Sequence, residues 1–283
     1  MISQWFDDLS GKNAVITGGA GVIAGEMALC LARHGVKVSI LDLRADLAEK
    51  KARDIVAATG GTAIGIGGSV LDKKSLADAK TKINNVMGPV DILINAAGGN
   101  SPKATASQEF FQDADLEHIE STFFGLDTDA FRSVFDLNFM GTLLPTMVFA
   151  VDMVQRKQGV VLNISSMNSF RPLTRIPAYS AAKASINNFT AWLAVHLSKQ
   201  NVRVNAIAPG FLLTDQNRFL LTDPATGSLT ARGTRIMAAT PMGRFGTPED
   251  LLGAMLYFVS AMSRFVTGMV MPVDGGFNAF SGV

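Results

Sequence analysis

The alternation of short apolar runs with longer helix-like segments constrains the fold of this chain more than any other feature. The strand-like runs occupy residues 13–17, 36–42, 62–68, 90–99, 159–166, 201–210 and 269–276. Helical periodicity marks residues 25–35, 44–60, 71–88, 128–159, 178–199 and 247–261. Strands that alternate with helices of this length predict an α/β fold, a doubly wound parallel sheet of about seven strands with helices on both faces. Because no linker or repeat interrupts the pattern, we expect one domain over residues 1–283.

Composition narrows the classes of function. Hydrophobic residues make up 48% of the chain and charged residues 17%, which is enough apolar material for a sizeable core. The net charge of +1 argues against a surface for nucleic acid or for an anionic membrane. The single cysteine, Cys30, cannot form an internal disulfide, so we expect a cytoplasmic protein. We find no charged segment followed by an apolar signal core, and no uninterrupted apolar run long enough to span a bilayer. The expected partner is a small molecule.

A glycine cluster follows the first strand, where doubly wound sheets bind their ligands. In TGGAGVIAG (residues 17–25), Gly19, Gly21 and Ala24 satisfy the pattern G-x-G-x-x-G/A. Such a turn brings a pyrophosphate to the N-terminus of the next helix, which indicates a Rossmann-type dinucleotide site. Asp42 ends the second strand and could bond both ribose hydroxyls, although a carboxylate there is also a common helix cap. The apolar residue after it, Leu43, favours NAD(H), whereas Arg44 leaves NADP(H) possible.

A second cluster follows the fifth strand. Tyr179 lies four residues before Lys183, and Ser166 lies thirteen residues before Tyr179, at a strand end. On a helix the tyrosine and the lysine are one turn apart, and the ammonium is expected to lower the pKa of the phenol towards neutrality. Tyr179 could then donate or accept a proton. Taken alone, the motif is better explained by two amphipathic side chains on one helix face.

Taken together and in order, the motifs resemble the short-chain dehydrogenase/reductase family. They are TGGAGVIAG, NAAG at 95–98, Asn138 in DLNFMG, the Ser166–Tyr179–Lys183 set and APG at 208–210. The resemblance runs from the first strand to DGG at 274–276, nearly the whole chain, and the ordered set is specific. It implies an enzyme that transfers a hydride to or from a nicotinamide cofactor.

The resemblance also implies which residues form the site. The catalytic tetrad would be Asn138, Ser166, Tyr179 and Lys183. Ser166 would hold the substrate oxygen, and Tyr179 would transfer the proton. Lys183 would bind the nicotinamide ribose and depress the pKa of the tyrosine, while Asn138 would hold a water in the proton relay. Asn95 would support the sheet edge beside the adenosine. The implied cofactor-binding set is Gly18, Gly19, Gly21, Val22, Ile23, Asp42, Leu43, Ser69, Val70, Asn95, Ala96, Ala97, Gly98, Tyr179, Lys183, Pro209, Gly210, Phe211, Leu212 and Thr214.

Two positions depart from the family pattern. The usual turn T-G-x-x-x-G-x-G has Val22 and Ala24 at its second and third glycines, and Gly25 is the residue that could compensate. The acidic residue that usually contacts adenine is replaced by Ser69. We therefore expect an altered approach of the backbone to the diphosphate and looser or water-mediated adenine binding.

Three segments are expected to select the substrate: the polar connection 100–127, the loop 166–177 and a substrate lid at 211–246. They carry amides and arginines, which suit a substrate with a carboxylate and hydroxyls. Any single arginine is more often a solvated surface charge. The candidate substrate-binding residues are Asn100, Ser166, Asn168, Arg171, Arg175 and Arg218.

Residues 163–218 and the C-terminal segment are similar to the group within the family that interconverts D-mannonate and D-fructuronate. This similarity implies hydride transfer at C5 of a sugar acid in hexuronate catabolism, with Tyr179 as base in oxidation and acid in reduction. Gluconate 5-dehydrogenase and 3-oxoacyl carrier-protein reductase are the enzymatic alternatives, although the latter needs an apolar acyl path that is not evident. A dinucleotide-binding regulator without turnover is the non-enzymatic alternative, and the complete tetrad argues against it.

The helices at 128–158 and 178–199 are apolar over most of their circumference, which predicts burial against a second subunit. The family resemblance implies a homotetramer. His34, His118 and His196 show no ligand spacing, so we expect no metal site.

Overall fold

The computed structural model describes residues 6–214, 218–223 and 226–282. Within them, seven strands pair in parallel in the order β3-β2-β1-β4-β5-β6-β7. The strands are β1 (Asn13–Thr17), β2 (Lys37–Asp42), β3 (Ala63–Gly67), β4 (Ile92–Asn95), β5 (Gly159–Ile164), β6 (Val202–Pro209) and β7 (Val270–Val273). This sheet confirms the predicted fold class.

Helices cover both faces of the sheet. They are α1 (Val22–Arg33), α2 (Ala45–Thr59), α3 (Lys73–Met87), α4 (Thr128–Phe135), α5 (Gly141–Arg156), α6 (Pro177–Leu197), α7 (Arg218–Leu221), α8 (Ala231–Ala238) and α9 (Leu252–Val259). Side chains of α1, α2 and α9 form one buried cluster with the strands, and side chains of α3, α5 and α6 form another. Two apolar layers therefore hold the sheet between them, which explains why the strands read as continuous hydrophobic runs.

Local signals set several helix ends where the sequence predicts them. Gly60 ends α2 in the left-handed conformation, at φ +67°. Thr247 caps the turn before α9 in a capping box with Asp250, and Pro248 takes the first helical position.

The helix predicted at 128–159 is continuous but not uniform. A π-helical turn, Asp136–Met140, separates α4 from α5 and carries Asn138. Among the described residues, one helical stretch, Asp113–Arg156, is long and apolar enough to cross a membrane by length and composition alone. Its most apolar part, α5, packs on β4, β5 and α3, as a core helix does.

Two segments lie beyond the carboxyl edge of the sheet. The connection after β4 contains 3₁₀ turns at Pro102–Ala104, Asp113–Ser121 and Phe123–Gly125. The predicted lid contains α7 and α8, while its residues 215–217 and 224–225 lie outside the described residues. Arg235 of α8 joins the two segments through an ion pair with Glu109, at 2.8 Å.

Candidate active site

The glycine turn after β1 (residues 18–21) and the turn after β4 lie side by side at the switch point of the sheet, since β1 and β4 are neighbours. Thr17 Oγ1 accepts hydrogen bonds from the backbone N–H groups of Ala96, at 3.1 Å, and Ala97, at 3.2 Å. Gly18 has φ +61°, and a Cβ there would lie 2.9 Å from Ala97 Cα. The two turns thus pack backbone to backbone, and this close approach requires a glycine.

The N-terminus of α1 remains open to an anion. Gly21 is the N-cap residue and offers no side chain to the N–H groups of the first turn. Val22 is 37% exposed at the first helical position, whereas Ala24 is 3% exposed and packs in the core. A Cβ on Gly25 would meet the Lys51 side chain, so this glycine makes room for α2 and does not compensate at the diphosphate edge. Neither Val22 nor Ala24 therefore blocks the approach of a diphosphate to the N-terminus of α1.

Asp42 connects the glycine turn to the end of β2. Its Oδ2 accepts from Ala20 N at 3.2 Å and its Oδ1 accepts from Arg44 N at 3.1 Å. Each oxygen keeps a further lone pair, so the carboxylate can still accept from ribose hydroxyls. Leu43 beside it is 77% exposed and offers no charge to a 2′-phosphate. The open helix end and this carboxylate fit a dinucleotide.

Ser69 and Val70, which are predicted to lie near adenine, also stabilise the local structure of the chain. Ser69 Oγ accepts from Leu71 N at 3.2 Å, and Ser69 N donates to Ser75 Oγ at 3.0 Å. Val70 is buried, and its side chain lies against Gly141 at the start of α5. Both residues hold the turn after β3.

Asn95 lies beneath the site and does not line it. Its side chain is 1% exposed, and Nδ2 donates to Thr146 Oγ1 and to Asn163 Oδ1, both at 2.9 Å. Asn163 Nδ2 continues the chain to Thr190 Oγ1 at 2.9 Å. This buried polar chain joins β4, β5, α5 and α6, and support of the sheet edge beside the adenosine stays a prediction for Asn95.

The π-helical turn places Asn138 against the loop after β4. Its Nδ2 donates to Gly99 O at 2.7 Å and to Val134 O at 2.8 Å, while its Oδ1 accepts from Gly99 N at 3.3 Å. A Cβ on Gly98 would lie 2.6 Å from Asn138 Oδ1. Both donors of the amide are therefore used to fix the backbone. The predicted hold on a relay water stays a prediction.

Ser166, Tyr179 and Lys183 meet where β5 ends and α6 begins. Ser166 is 8% exposed, and its hydroxyl lies close enough to the phenol of Tyr179 to lower the pKa of that phenol. The Lys183 ammonium lies 5.5 Å from the centroid of the Tyr179 ring and donates to Ile164 O at 2.7 Å. Pro177 opens α6 at its first position, as expected. The structure brings the three predicted groups together.

The expectation that Lys183 lowers the pKa of Tyr179 is wrong for the protein chain itself. Burial of the phenol raises the pKa of Tyr179, and only the neighbouring Ser166 hydroxyl opposes this shift. Burial also lowers the pKa of Lys183 to about 8. The reason is that removal from water disfavours both charged forms, and the ammonium is directed at a backbone carbonyl.

Sequence reasoning missed the polar network that holds the loop after β5. Asn187 Oδ1 accepts from Ser165 Oγ at 2.5 Å, and Asn187 Nδ2 donates to Ser169 Oγ at 2.8 Å. Ser169 Oγ in turn donates to Ser166 O at 2.5 Å. The available signal was spacing, because Asn187 lies one turn after Lys183 on the same helix face.

The segment after β6 packs against the end of β7 and the residues that follow it. Gly210 N donates to Val273 O at 3.0 Å, and a Cβ on Gly210 would lie 2.5 Å from Asp274 Cα. Gly210, Phe211 and Leu212 line a cavity of about 400 Å³ that reaches the end of the lid. Pro209 ends β6, and Thr214 lies in the lid, four residues after Gly210.

The predicted substrate residues are held in different ways. Asn100 Nδ2 bonds Thr105 Oγ1 at 3.1 Å in the exposed start of the insertion. Asn168 is 6% exposed, its N–H donates to Ser166 Oγ at 3.3 Å, and its buried Oδ1 has no partner among the described residues. Arg171 is exposed and donates to Phe280 O at 2.7 Å. Arg218 is exposed on α7.

A sequence profile described as short chain dehydrogenase matches residues 12–224. This chain belongs to the short-chain dehydrogenase family. The match covers the glycine turn, Asn138 and the Ser166–Tyr179–Lys183 set, so the family and the geometry agree.

Three similar proteins extend over nearly the whole chain. The uncharacterized oxidoreductase UxuB of Bacillus subtilis is 49% identical over 98% of each chain. A crystal structure from Haemophilus influenzae, provisionally named a D-mannonate oxidoreductase and holding bound NAD, is 48% identical over 98% of each chain, with a TM-score of 0.92. The 5-keto-D-gluconate 5-reductase of Escherichia coli is 32% identical over 95% of this chain and 96% of its own length.

Proposed function

We propose that this short-chain dehydrogenase uses NAD(H) to interconvert D-mannonate and D-fructuronate at C5. The observation that supports the substrate is the end-to-end similarity to the Haemophilus influenzae protein, at 48% identity. The open N-terminus of α1 and the Asp42 carboxylate support NAD(H) as the cofactor. The reaction places the enzyme in hexuronate catabolism.

NAD(H) supplies or accepts the hydride, and the protein handles the substrate oxygen and its proton. Ser166 Oγ donates a hydrogen bond to the C5 oxygen, and the Tyr179 phenol gives that oxygen its proton in reduction. D-Fructuronate, NADH and one proton then become D-mannonate and NAD⁺. Because burial raises the pKa of Tyr179, the phenol is protonated at neutral pH, which favours its use as the acid. Lys183, fixed by Ile164 O, binds the nicotinamide ribose.

The test is oxidation of NADH by the purified protein with D-fructuronate as substrate, followed by the loss of NADH absorbance. The assay is run at about pH 7, where a phenol keeps its proton. We expect saturable turnover and D-mannonate as the product. NADPH is the matched cofactor control and should be the poorer reductant. Absence of D-mannonate at high enzyme concentration would refute the substrate.

Reduction of 5-keto-D-gluconate is the second candidate. The Escherichia coli relative of that name is 32% identical along almost its entire length, and both keto acids carry the ketone at C5. The two substrates differ in hydroxyl configuration and not in charge. Parallel kcat/KM measurements therefore separate them, and a higher value for 5-keto-D-gluconate would replace the first assignment.

Assembly as a cytoplasmic homotetramer is also a proposal. The outer faces of α5 and α6 form an apolar groove of about 420 Å³ whose walls include Met147, Val151 and Trp192. These three side chains are exposed in the single chain, and such an apolar face is typical of a subunit interface. Mass photometry at micromolar concentration should show a tetramer, and a monomer would contradict the interface.

A further inference from the structure

We propose that Arg175 is the side chain that binds the carboxylate of the substrate. The inference rests on the proposed function in one respect, namely that the substrate is a keto acid. It goes further by assigning one arginine among those of the loop after β5 and the predicted lid.

Arg175 is held in place by the insertion after β4. Its Nε donates to Ala106 O at 2.7 Å, and its own backbone oxygen accepts from Ala106 N at 2.8 Å. Nearby, Ala104 and Ala178 pack in one small cluster with the ring of Tyr179. The guanidinium is thus anchored to the same support as the catalytic phenol.

Among the described residues, the outer edge of this guanidinium, its two Nη atoms, has no partner. Within the described part of the chain, neither Nη of Arg175 makes a hydrogen bond or an ion pair, although the side chain is half-buried. A cation that is partly removed from water and fixed through Nε presents its two remaining nitrogens as a fork, which matches a carboxylate. An arginine held for packing alone has no need of this free edge.

The rival arginines are exposed or already engaged. Arg235 pairs with Glu109 at 2.8 Å, and Arg244 pairs with Asp250 through two bonds. Arg171 donates to Phe280 O, and Arg218 and Arg232 are exposed on the lid. Exposed cations gain little from pairing because water already solvates them.

The dimensions of the substrate agree with this assignment. In a hexonate with its ketone at C5, four C–C bonds separate that carbon from the carboxylate, a span of about 5 Å when extended. Arg175 precedes Tyr179 by four residues, so their Cα atoms lie within about 14 Å of each other. The two long side chains and a six-carbon acid together exceed this separation, so the spacing along the chain permits contact with both ends of such a molecule.

The experiment compares an acid with its neutral counterpart. D-Fructose is D-fructuronate with CH₂OH in place of the carboxylate, and L-sorbose has the same relation to 5-keto-D-gluconate. We expect the wild type to prefer the acid of the pair it uses. Arg175→Gln should lower kcat/KM for the acid about 100-fold, as loss of a charged hydrogen-bonded pair predicts, mostly through KM, and leave the neutral ketose unchanged. Arg132→Gln, an exposed arginine paired with Asp129, is the matched control and should change neither.

Each other outcome is decisive. Equal losses for acid and ketose in Arg175→Gln would assign the residue to support of Tyr179 through Ala106 and overturn the proposal. Loss of acid preference in Arg171→Gln instead would move the role to that residue. Retained NADH binding, measured by fluorescence titration, shows that the variant is folded. A wild type that prefers 5-keto-D-gluconate would refute the proposed substrate and leave Arg175 to be judged on that pair, whereas a wild type with no acid preference would overturn the Arg175 assignment itself.

Discussion

The glycine turn (residues 18–21) and the catalytic loop (residues 165–176) leave the same edge of the sheet but are built in opposite ways. In the glycine turn, backbone packs directly on backbone, and Gly18 allows the contact with Ala97. In the catalytic loop, side chains hold one another, and Asn187 joins Ser165 to Ser169. A dinucleotide needs only space and N–H groups at the first site, while proton transfer needs particular atoms at fixed positions at the second. The first region therefore tolerates Val22 at a glycine position, whereas the second depends on the identity of each residue.

The largest expected effect is chemical and confined to the catalytic loop. Tyr179→Phe removes the proton donor and keeps the ring, so kcat should fall by about 10³-fold, in the range of general acid catalysis. NADH affinity should be unchanged, because the glycine turn is untouched. Steady-state kinetics and fluorescence titration measure the two quantities. Unchanged turnover would exclude the role given to Tyr179.

Lys183→Met should lower the activity of the enzyme but raise its stability. Turnover should fall by about 100-fold or more, since an oriented charged group near the phenol is lost. Burial lowers the pKa of Lys183 to about 8, so the ammonium destabilises the fold at pH 7, and the variant should be more stable by up to about 3 kcal/mol. The destabilisation fades as pH rises from 8 to 10.5, where folded Lys183 is neutral while the unfolded chain still binds the proton.

Urea unfolding of the wild type and of Lys183→Met, each at low and high pH, tests the direction of this pH dependence. The advantage of Lys183→Met should shrink as pH rises above 8. A variant that is less stable than the wild type by the same amount at both pH values would show that the bond to Ile164 O outweighs the desolvation of the ammonium.

Gly98→Ala tests the contact between the turn after β4 and the side chains of Asn138 and Lys183. The added Cβ would lie 2.6 Å from Asn138 Oδ1 and 3.5 Å from Lys183 Nζ. We expect a loss of about 1–3 kcal/mol in the free energy of unfolding, as overpacking predicts, together with a fall in kcat. Gly253→Ala in α9 is the control, because a Cβ there meets nothing within 4 Å, and it should stabilise the helix by about 0.5–1 kcal/mol. Equal activity in the two variants would contradict the predicted catalytic role of Asn138.

The smallest effect concerns cofactor choice. Asp42→Asn removes the negative charge beside Ala20 N and Arg44 N while keeping an acceptor. NADH affinity should fall about 10-fold, which corresponds to one charge-assisted hydrogen bond, and the ratio of NADPH to NADH activity should rise. Stability should change by less than about 0.5 kcal/mol, as for most surface sites. An unchanged cofactor ratio would show that Asp42 serves the turn alone.

Much of the fold could be predicted from local pattern. All seven strands were expected within a few residues of their observed bounds, because strands buried on both faces read as apolar runs between turn residues. The meeting of Ser166, Tyr179 and Lys183 was also predictable, since a strand end and the next helix start must share one edge of the sheet. The π-helical turn around Asn138 was not, because it depends on how the helix packs against the loop after β4.

The sequence by itself determined the succession of strands and helices along the chain, the glycine turn and the residues of the catalytic set. All of these follow from short-range spacing. Only the tertiary structure decided the pKa values of the catalytic side chains. Burial, and not the neighbouring amine, governs the pKa of Tyr179 and brings that of Lys183 to about 8. Tertiary packing also decided which arginine keeps a free edge, since Ala106, Glu109 and Phe280 come from distant parts of the chain. Spacing fixes which groups can meet, while desolvation and partner choice depend on every segment that closes around them.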